Sequence, residues 1–251
     1  MTLSRPYIRT VRQLVDGSYR NSGHGRYVEH PVYARDADKY VRAFLLLQKD
    51  LLTIFDYIAA ADTNLPAYSF RTHELLMRAC IEVEANFNGI LRDNGYAKAS
   101  NFNMSDFHKV EPTHRLSGYK VKVPYWEGAQ SVRRPFASFK LEPGQKPSPN
   151  WYRAYNSTKH DRHENFANAN LESALDAVAG LVVLLSAQYM GEDFSSRSIR
   201  FVSENADPSE EAAGGYFRVY YPDDWPEADR YGFDWQSMKD QPDPFERHNY
   251  N

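Results

Sequence analysis

Cysteine occurs once in the 251 residues, at position 80. A single thiol excludes an internal disulfide framework and a cysteine-based zinc centre, and it points to a reducing compartment. Neither sign of charge is in excess: 30 Lys and Arg stand against 33 Asp and Glu, a formal charge of -3. That balance excludes nucleic-acid recognition through overall charge and leaves room only for a local basic patch. Long hydrophobic runs are missing too. The longest charge-free apolar stretch, Ala177 to Ala187, is about half of the roughly 20 residues a membrane span needs. The first residues, MTLSRPYIRTVRQLVDG, lack the apolar core of a secretion signal, so the expected location is cytoplasmic, without membrane association.

Several catalytic signatures are also absent. There is no GxxxxGK(S/T) phosphate loop, no GxGxxG opening a helix and no GxSxG elbow, and the pairs His73-Glu74 and His163-Glu164 lack the second histidine of a zincin. Nucleotide-hydrolase, esterase and metalloprotease readings lose support. No cofactor and no metal are expected.

What is present describes a folded chain. Hydrophobic residues make up 42% and aromatics 14%, too rich for a disordered segment. From Arg35 to Ala61 apolar residues recur at steps of three and four through Tyr40, Phe44, Leu47, Leu51, Ile54 or Phe55, and Ile58, which predicts an amphipathic helix. A second helix is expected from about Tyr68 to Asp93 through Leu76, Cys80, Val83, Phe87 and Ile90, closed by Asn94-Gly95. On another of its faces Glu74, Arg78, Glu82 and Asn86 read as a solvated stripe pairing along the helix. Alternation in GYKVKVPYW and SVRRPFASFK predicts a β-hairpin inserted at about 117–140. The third strong helix is expected from Asp161 or Glu164 to Tyr189, and a strand over Tyr216 to Tyr221. The resulting fold class is mainly α (α+β), a helical bundle of three or more long helices with an inserted β-hairpin and an extended C-terminal arm. Residues 1–34 form an N-terminal arm, 35–191 the helical domain and 192–251 an acidic, Pro- and aromatic-rich extension.

Charge is unevenly distributed. Eight Lys and Arg, Arg133 and Arg134 among them, stand against three Glu between Lys109 and Lys146, whereas residues 203–251 hold 12 Asp and Glu against four cations. The hairpin is therefore the expected place for a nucleic-acid backbone, and the acidic tail is expected to fold over it until a partner competes.

The richest polar run lies between Trp151 and His163, at what the periodicity makes the mouth of the most apolar helix. It brings together Arg153, Asn156, Lys159, His160 and Arg162. Cations beside free helix N–H groups stabilise phosphate charge, and an imidazole serves as acid or base. RNA supplies its own nucleophile in the 2'-hydroxyl, so cleavage needs no metal. In this reading His160 moves the proton, Arg153 stabilises the phosphorane, Asn156 orients either group, and Lys159 and Arg162 add positive potential alongside Arg133 and Arg134. The other reading is a capped helix start in a helical interaction protein.

Six residues separate Arg153 from His160, and Asn156 stands four before His160. This run resembles the motif of HEPN-type domains, in which Arg, four to six residues and His lie near the start of a late helix, often with Asn after the Arg. Tyr155 stands where the common pattern has Arg directly before Asn, so either Arg153 takes the place of that arginine or the motif is degenerate. The resemblance spans about Tyr68 to Tyr189. It implies a helical domain that forms a homodimer, joins two copies of the motif into an RNA-cutting cleft, and serves toxin, antiviral or stress systems. Non-catalytic relatives bind nucleotides or protein partners.

Overall fold

Ser69 and Thr72 open the longest helix with a reciprocal cap: the Ser69 hydroxyl accepts from the Thr72 N–H at 3.2 Å, and the Thr72 hydroxyl accepts from the Ser69 N–H at 2.8 Å. Two of the orphan donors at that helix start are thereby satisfied. The computed structural model describes residues 2–19, 24–141, 145–147, 149–190, 211–213 and 215–251. In chain order its helices are α1 (Ala37–Phe55), α2 (Phe70–Asp93), α3 (Met104–His108), α4 (Glu111–His114), α5 (Asn150–His160), α6 (Arg162–Asn165), α7 (Leu171–Tyr189) and α8 (Trp235–Met238). The strands are β1 (Lys120–Lys122), β2 (Val132–Arg133), β3 (Glu211–Ala213) and β4 (Phe217–Tyr220). The fold is mainly helical with a small antiparallel sheet.

The apolar periods produce α1 and α2, and α2 ends at Asp93 with Gly95 at φ +86. Every residue of α7 from Ala177 to Tyr189 is buried, because α1, α2, α5 and the sheet surround it. A helix apolar all round needs such an enclosure. By length and composition α7 is able to cross a membrane, but its apolar window is 83% buried inside the protein.

Two expectations about helices are corrected. The third helix begins at Leu171, capped by Asn170, whose side chain accepts from Ser173 N–H; the residues before it form a separate helix and a short turn. The stripe on α2 is solvated at its start, where Glu74 is exposed and pairs with Arg71, but not along its length. Arg78 pairs across to Asp50 on α1, while Asn86 is fully buried and accepts from Gln188 Nε2 on α7 at 2.9 Å.

The hairpin strands pair as expected, Val121 opposite Arg133, but they do not stand alone. β4 adds to the other edge of β1, Val121 opposite Val219, giving the strand order β2-β1-β4-β3. The hairpin tip is tied to the end of α1. Asp62 accepts from Trp126 Nε1 at 2.7 Å and from the N–H groups of Ala129 and Gln130 at 2.8 and 3.1 Å. Gly128 has φ +118, and a Cβ there would lie 2.4 Å from the Asp62 carboxylate. Only glycine fits both constraints.

The two terminal segments share the central core. Leu3 and Leu14 both bridge to Tyr231, and Tyr7 to Glu246. Trp225, Tyr231, Trp235, Phe245 and Tyr250 are buried, as anchors of an extended segment should be. Arg115 pairs with Asp224 at 2.6 Å. Residues 203–210 of the acidic segment lie outside the described residues.

Near this junction Glu111 accepts from the Ser117 hydroxyl and N–H. Burial pushes the Glu111 carboxyl up to about 7 against the hydrogen bonds from Ser117. A carboxyl raised on folding favours the native state while protonated, and loses that contribution as pH rises from its unfolded value through its folded one. Glu111→Gln should therefore gain thermal stability relative to the parent between about pH 5 and about pH 8. A melting-temperature difference that stays constant over that range would count against this assignment.

Candidate phosphate-binding face

Helix α5 is amphipathic on a small scale. Trp151, Ala154, Tyr155 and Thr158 are buried, spaced by three and four, and they turn one face toward α7 and α2. Trp151 Nε1 donates to Pro135 O at 2.8 Å. Its ring fits over Gly180 of α7, where a Cβ would sit 3.4 Å away. The opposite face carries Arg153, Asn156 and His160. Arg153 and His160 are exposed and Asn156 half-buried. A separation of seven residues returns almost to the same angular position, so Arg153 and His160 share one face, roughly 10 Å apart along the axis.

The helix ends at His160 because Asp161 leaves the helical region, with φ -145 and ψ 79, and caps α6 through Glu164 N–H at 3.3 Å. This corrects the expected setting of the histidine. His160 stands at the carboxyl end of α5, among carbonyl groups and the negative end of the helix dipole, and not at the amino end of α7. His160 and His163 consequently belong to different helices. No hydrogen bond or ion pair joins His160 or Asn156 to another described residue as an acceptor or donor side chain.

Arg153 keeps the setting that His160 loses. It lines a recess of about 380 Å³ between α5 and the start of α7, together with Ser157, Asn168, Asn170 and Ser173. The guanidinium donates to Asn150 Oδ1 at 2.6 Å and meets no carboxylate among the described residues. A cation, two hydroxyls and amides thus border one open polar space, while the first N–H groups of α7 are engaged within the fold, Leu171 with Ala67 O, Glu172 with Leu65 O and Ser173 with Asn170 Oδ1. Ser157, Asn168 and Ser173 escape sequence reading because neither their spacing nor their composition separates them from an ordinary polar linker.

The remaining expected site residues divide. Arg133 does not face solvent. It is 7% exposed, with Nε 2.6 Å from Asp176 Oδ1 and Nη2 3.0 Å from Glu172 Oε1. Its charge is neutralised inside the fold, so it is not available to bind a backbone phosphate. Burial pushes the Asp176 carboxyl up, and the guanidinium pulls it back. Arg134, one residue on, is exposed. Lys159 is exposed and donates to Tyr155 Oη at 3.1 Å, with its ammonium 5.0 Å from that ring's centroid. Arg162 lies over Phe70, 6.0 Å from the ring centroid.

Behind this face Tyr152 donates to Glu84 Oε1 at 2.8 Å. Burial pushes the phenols of Tyr152 and Tyr155 up, so both stay protonated. Cys80 lies beneath them, fully buried, and burial pushes its thiol well up. That environment makes it a packed apolar side chain and not a nucleophile.

Comparison with known proteins finds no matching family model, no matching curated protein and no matching solved structure.

Proposed function

We propose that the protein is a HEPN-like, metal-independent endoribonuclease whose substrate lies along the exposed face of α5. The observation that supports this most directly is the placement of Arg153, Asn156 and His160 on one face, with Arg153 at the polar recess beside the amino end of α7. In this reading His160 removes the proton of the 2'-hydroxyl, and the oxygen attacks the adjacent phosphorus. Arg153 stabilises the added negative charge, and as the bond from phosphorus to the 5'-oxygen breaks that oxygen takes the proton held by His160, giving a cyclic phosphate end and a free 5'-hydroxyl. Asn156 positions the imidazole or the phosphate. Lys159 and Arg162 add attraction for the backbone, and Arg134 is the hairpin cation that remains open to it.

The helices α1, α2, α5 and α7 are read as a bundle that pairs with a second copy. Two α5 faces across a two-fold axis would bring one chain's Arg153 to the other's His160 and shorten the roughly 10 Å axial offset within a chain. The proposed setting is the cytoplasm, within a toxin, antiviral or stress system. That same offset favours a second reading if the chain is monomeric, in which the face binds a nucleotide or a strand, or a protein partner, without cutting.

The test is cleavage of unstructured and structured RNA in EDTA. The parent should cut and leave cyclic phosphate ends. His160→Ala should lose about 100-fold or more, as expected for a general acid or base, with an unchanged melting temperature, because the side chain is exposed. If His160→Ala cuts as fast as the parent, His160 is not the acid or base. Binding without turnover by the parent would select the second reading.

A further inference from the structure

We propose that Phe70, Tyr68 and Arg162 form a stacking platform for an unpaired base, so that the strand along α5 is a single strand and not a duplex. The proposal rests on α5 being a phosphodiester-binding face and names what that face accepts.

Phe70 is the first residue of α2 and is 69% exposed; Tyr68, just before the cap, is 54% exposed. Leaving such large rings in water forgoes apolar burial at about 25 cal/mol per Å², and two together form a patch that marks an interaction site more than a random surface does. Both rings lean on Phe166, from the turn between α6 and α7. Tyr68 meets it edge-on with centroids 5.7 Å apart, and Phe70 lies tilted at 4.9 Å. His73 approaches the same ring at 5.7 Å. Burial and then Arg162 push the His73 imidazole down, so this support is an uncharged ring at neutral pH. Phe166 therefore fixes the positions of Tyr68 and Phe70 while most of their surface stays open.

The neighbouring charges are arranged for an anion. Arg162 lies over Phe70 and has no carboxylate partner among the described residues. Two of the nearby acids are already engaged, Glu74 with Arg71 at 3.1 Å and Asp161 as the cap of α6, whereas Glu164 is exposed and reaches only His163, at 3.8 Å. Two residues before Arg162 comes His160, so the platform adjoins the carboxyl end of the α5 face. Exposed aromatics beside unpaired guanidinium groups are the means by which single strands are held, bases on rings and phosphates on cations. A paired base inside a duplex offers no free face to such a ring.

The experiment uses the full chain and a fluorescein-labelled oligodeoxynucleotide of about ten residues, a length that suits one such site. Lacking a 2'-hydroxyl, it cannot be cut by the proposed route. Anisotropy should show salt-dependent binding, much weaker for the same strand in a duplex. Phe70→Leu keeps apolar contact with Phe166 and should weaken binding roughly 5- to 100-fold, the loss of one stacked base, at an unchanged melting temperature. Phe70→Trp should bind at least as tightly as the parent. Equal affinity of Phe70→Leu and parent, equal affinity for strand and duplex, or no binding would each overturn the platform. RNA cutting with a Phe70-independent affinity would remove the platform and leave the ribonuclease reading. Phe70-dependent binding without RNA cutting would do the reverse.

Discussion

Arg9→Met is expected to lower the unfolding free energy by about 3–5 kcal/mol, the usual loss when one partner of a buried ion pair is removed. That is a large share of the roughly 5–15 kcal/mol that holds a domain. Arg9 is 2% exposed, with a left-handed backbone at φ 54. Its guanidinium spends its donors on four groups from three parts of the chain. Nε reaches Asp93 at 2.6 Å, Nη1 reaches Gln188 Oε1 and the Tyr189 hydroxyl at 3.0 and 2.7 Å, and Nη2 reaches Arg35 O at 3.0 Å. Its own carbonyl accepts from the buried ring of His114 at 2.9 Å. Burial holds that imidazole down at about 4, so it is neutral. Methionine keeps most of the volume, so the loss isolates the polar contacts. Asp93 suffers most, since its side chain is only 24% exposed and loses its ion-pair partner. Arg9→Met with Asp93→Asn should recover part of the loss. Chemical denaturation of the parent and the two variants decides the matter; a single-variant loss below about 1 kcal/mol would mean water replaces the guanidinium at no great cost.

Arg133→Leu should cost a similar amount, again about 3–5 kcal/mol. Asp176 is 19% exposed at its side chain and Glu172 47%, so most of the cost falls on Asp176. Without the guanidinium nothing opposes the burial that already raises its carboxyl. The second change Asp176→Leu should restore most of the stability, because apolar replacement of a whole buried pair is often neutral or better. The double variant should also bind nucleic acid like the parent, since the Arg133 charge never reaches solvent. Weakened binding by a stable double variant would return Arg133 to the binding surface.

This arginine shows where sequence reading falls short. The hairpin alternation was legible, but the same alternation puts Val132 outward, 40% exposed, and Arg133 inward, opposite to what hydropathy suggests. Glu172 and Asp176, four apart at the start of an otherwise uncharged helix, carried the missing signal. Helices α1, α2 and α7 were legible because their apolar residues repeat over several turns and their ends carry recognisable caps. Helix α5 was not, although Trp151, Ala154, Tyr155 and Thr158 hold the right spacing. Eleven residues dense in Arg, Lys, His and Asn read as a polar linker, and the stop at Asp161 depends on a backbone conformation that Asp adopts without announcing it. Arg153, Asn156 and His160 do fall on one helix face, while the helix end offered to His160 was assigned with the wrong polarity. Arg9 gave no local sign, since its partners lie 26 to 180 residues away.

Those separations govern how the protein comes into being. Leu3 bridges to Tyr231, and Thr113 bonds the Tyr250 hydroxyl across 137 residues. Chains dominated by distant pairings fold slowly, since loop closure precedes any reward. During synthesis the amino-terminal segment waits for its partners at Tyr231 and Glu246. Helix α5 packs on α7, and Arg9 ties the carboxyl end of α7 to the amino-terminal segment, so the α5 face stands on pairings that reach from residue 9 to residue 189.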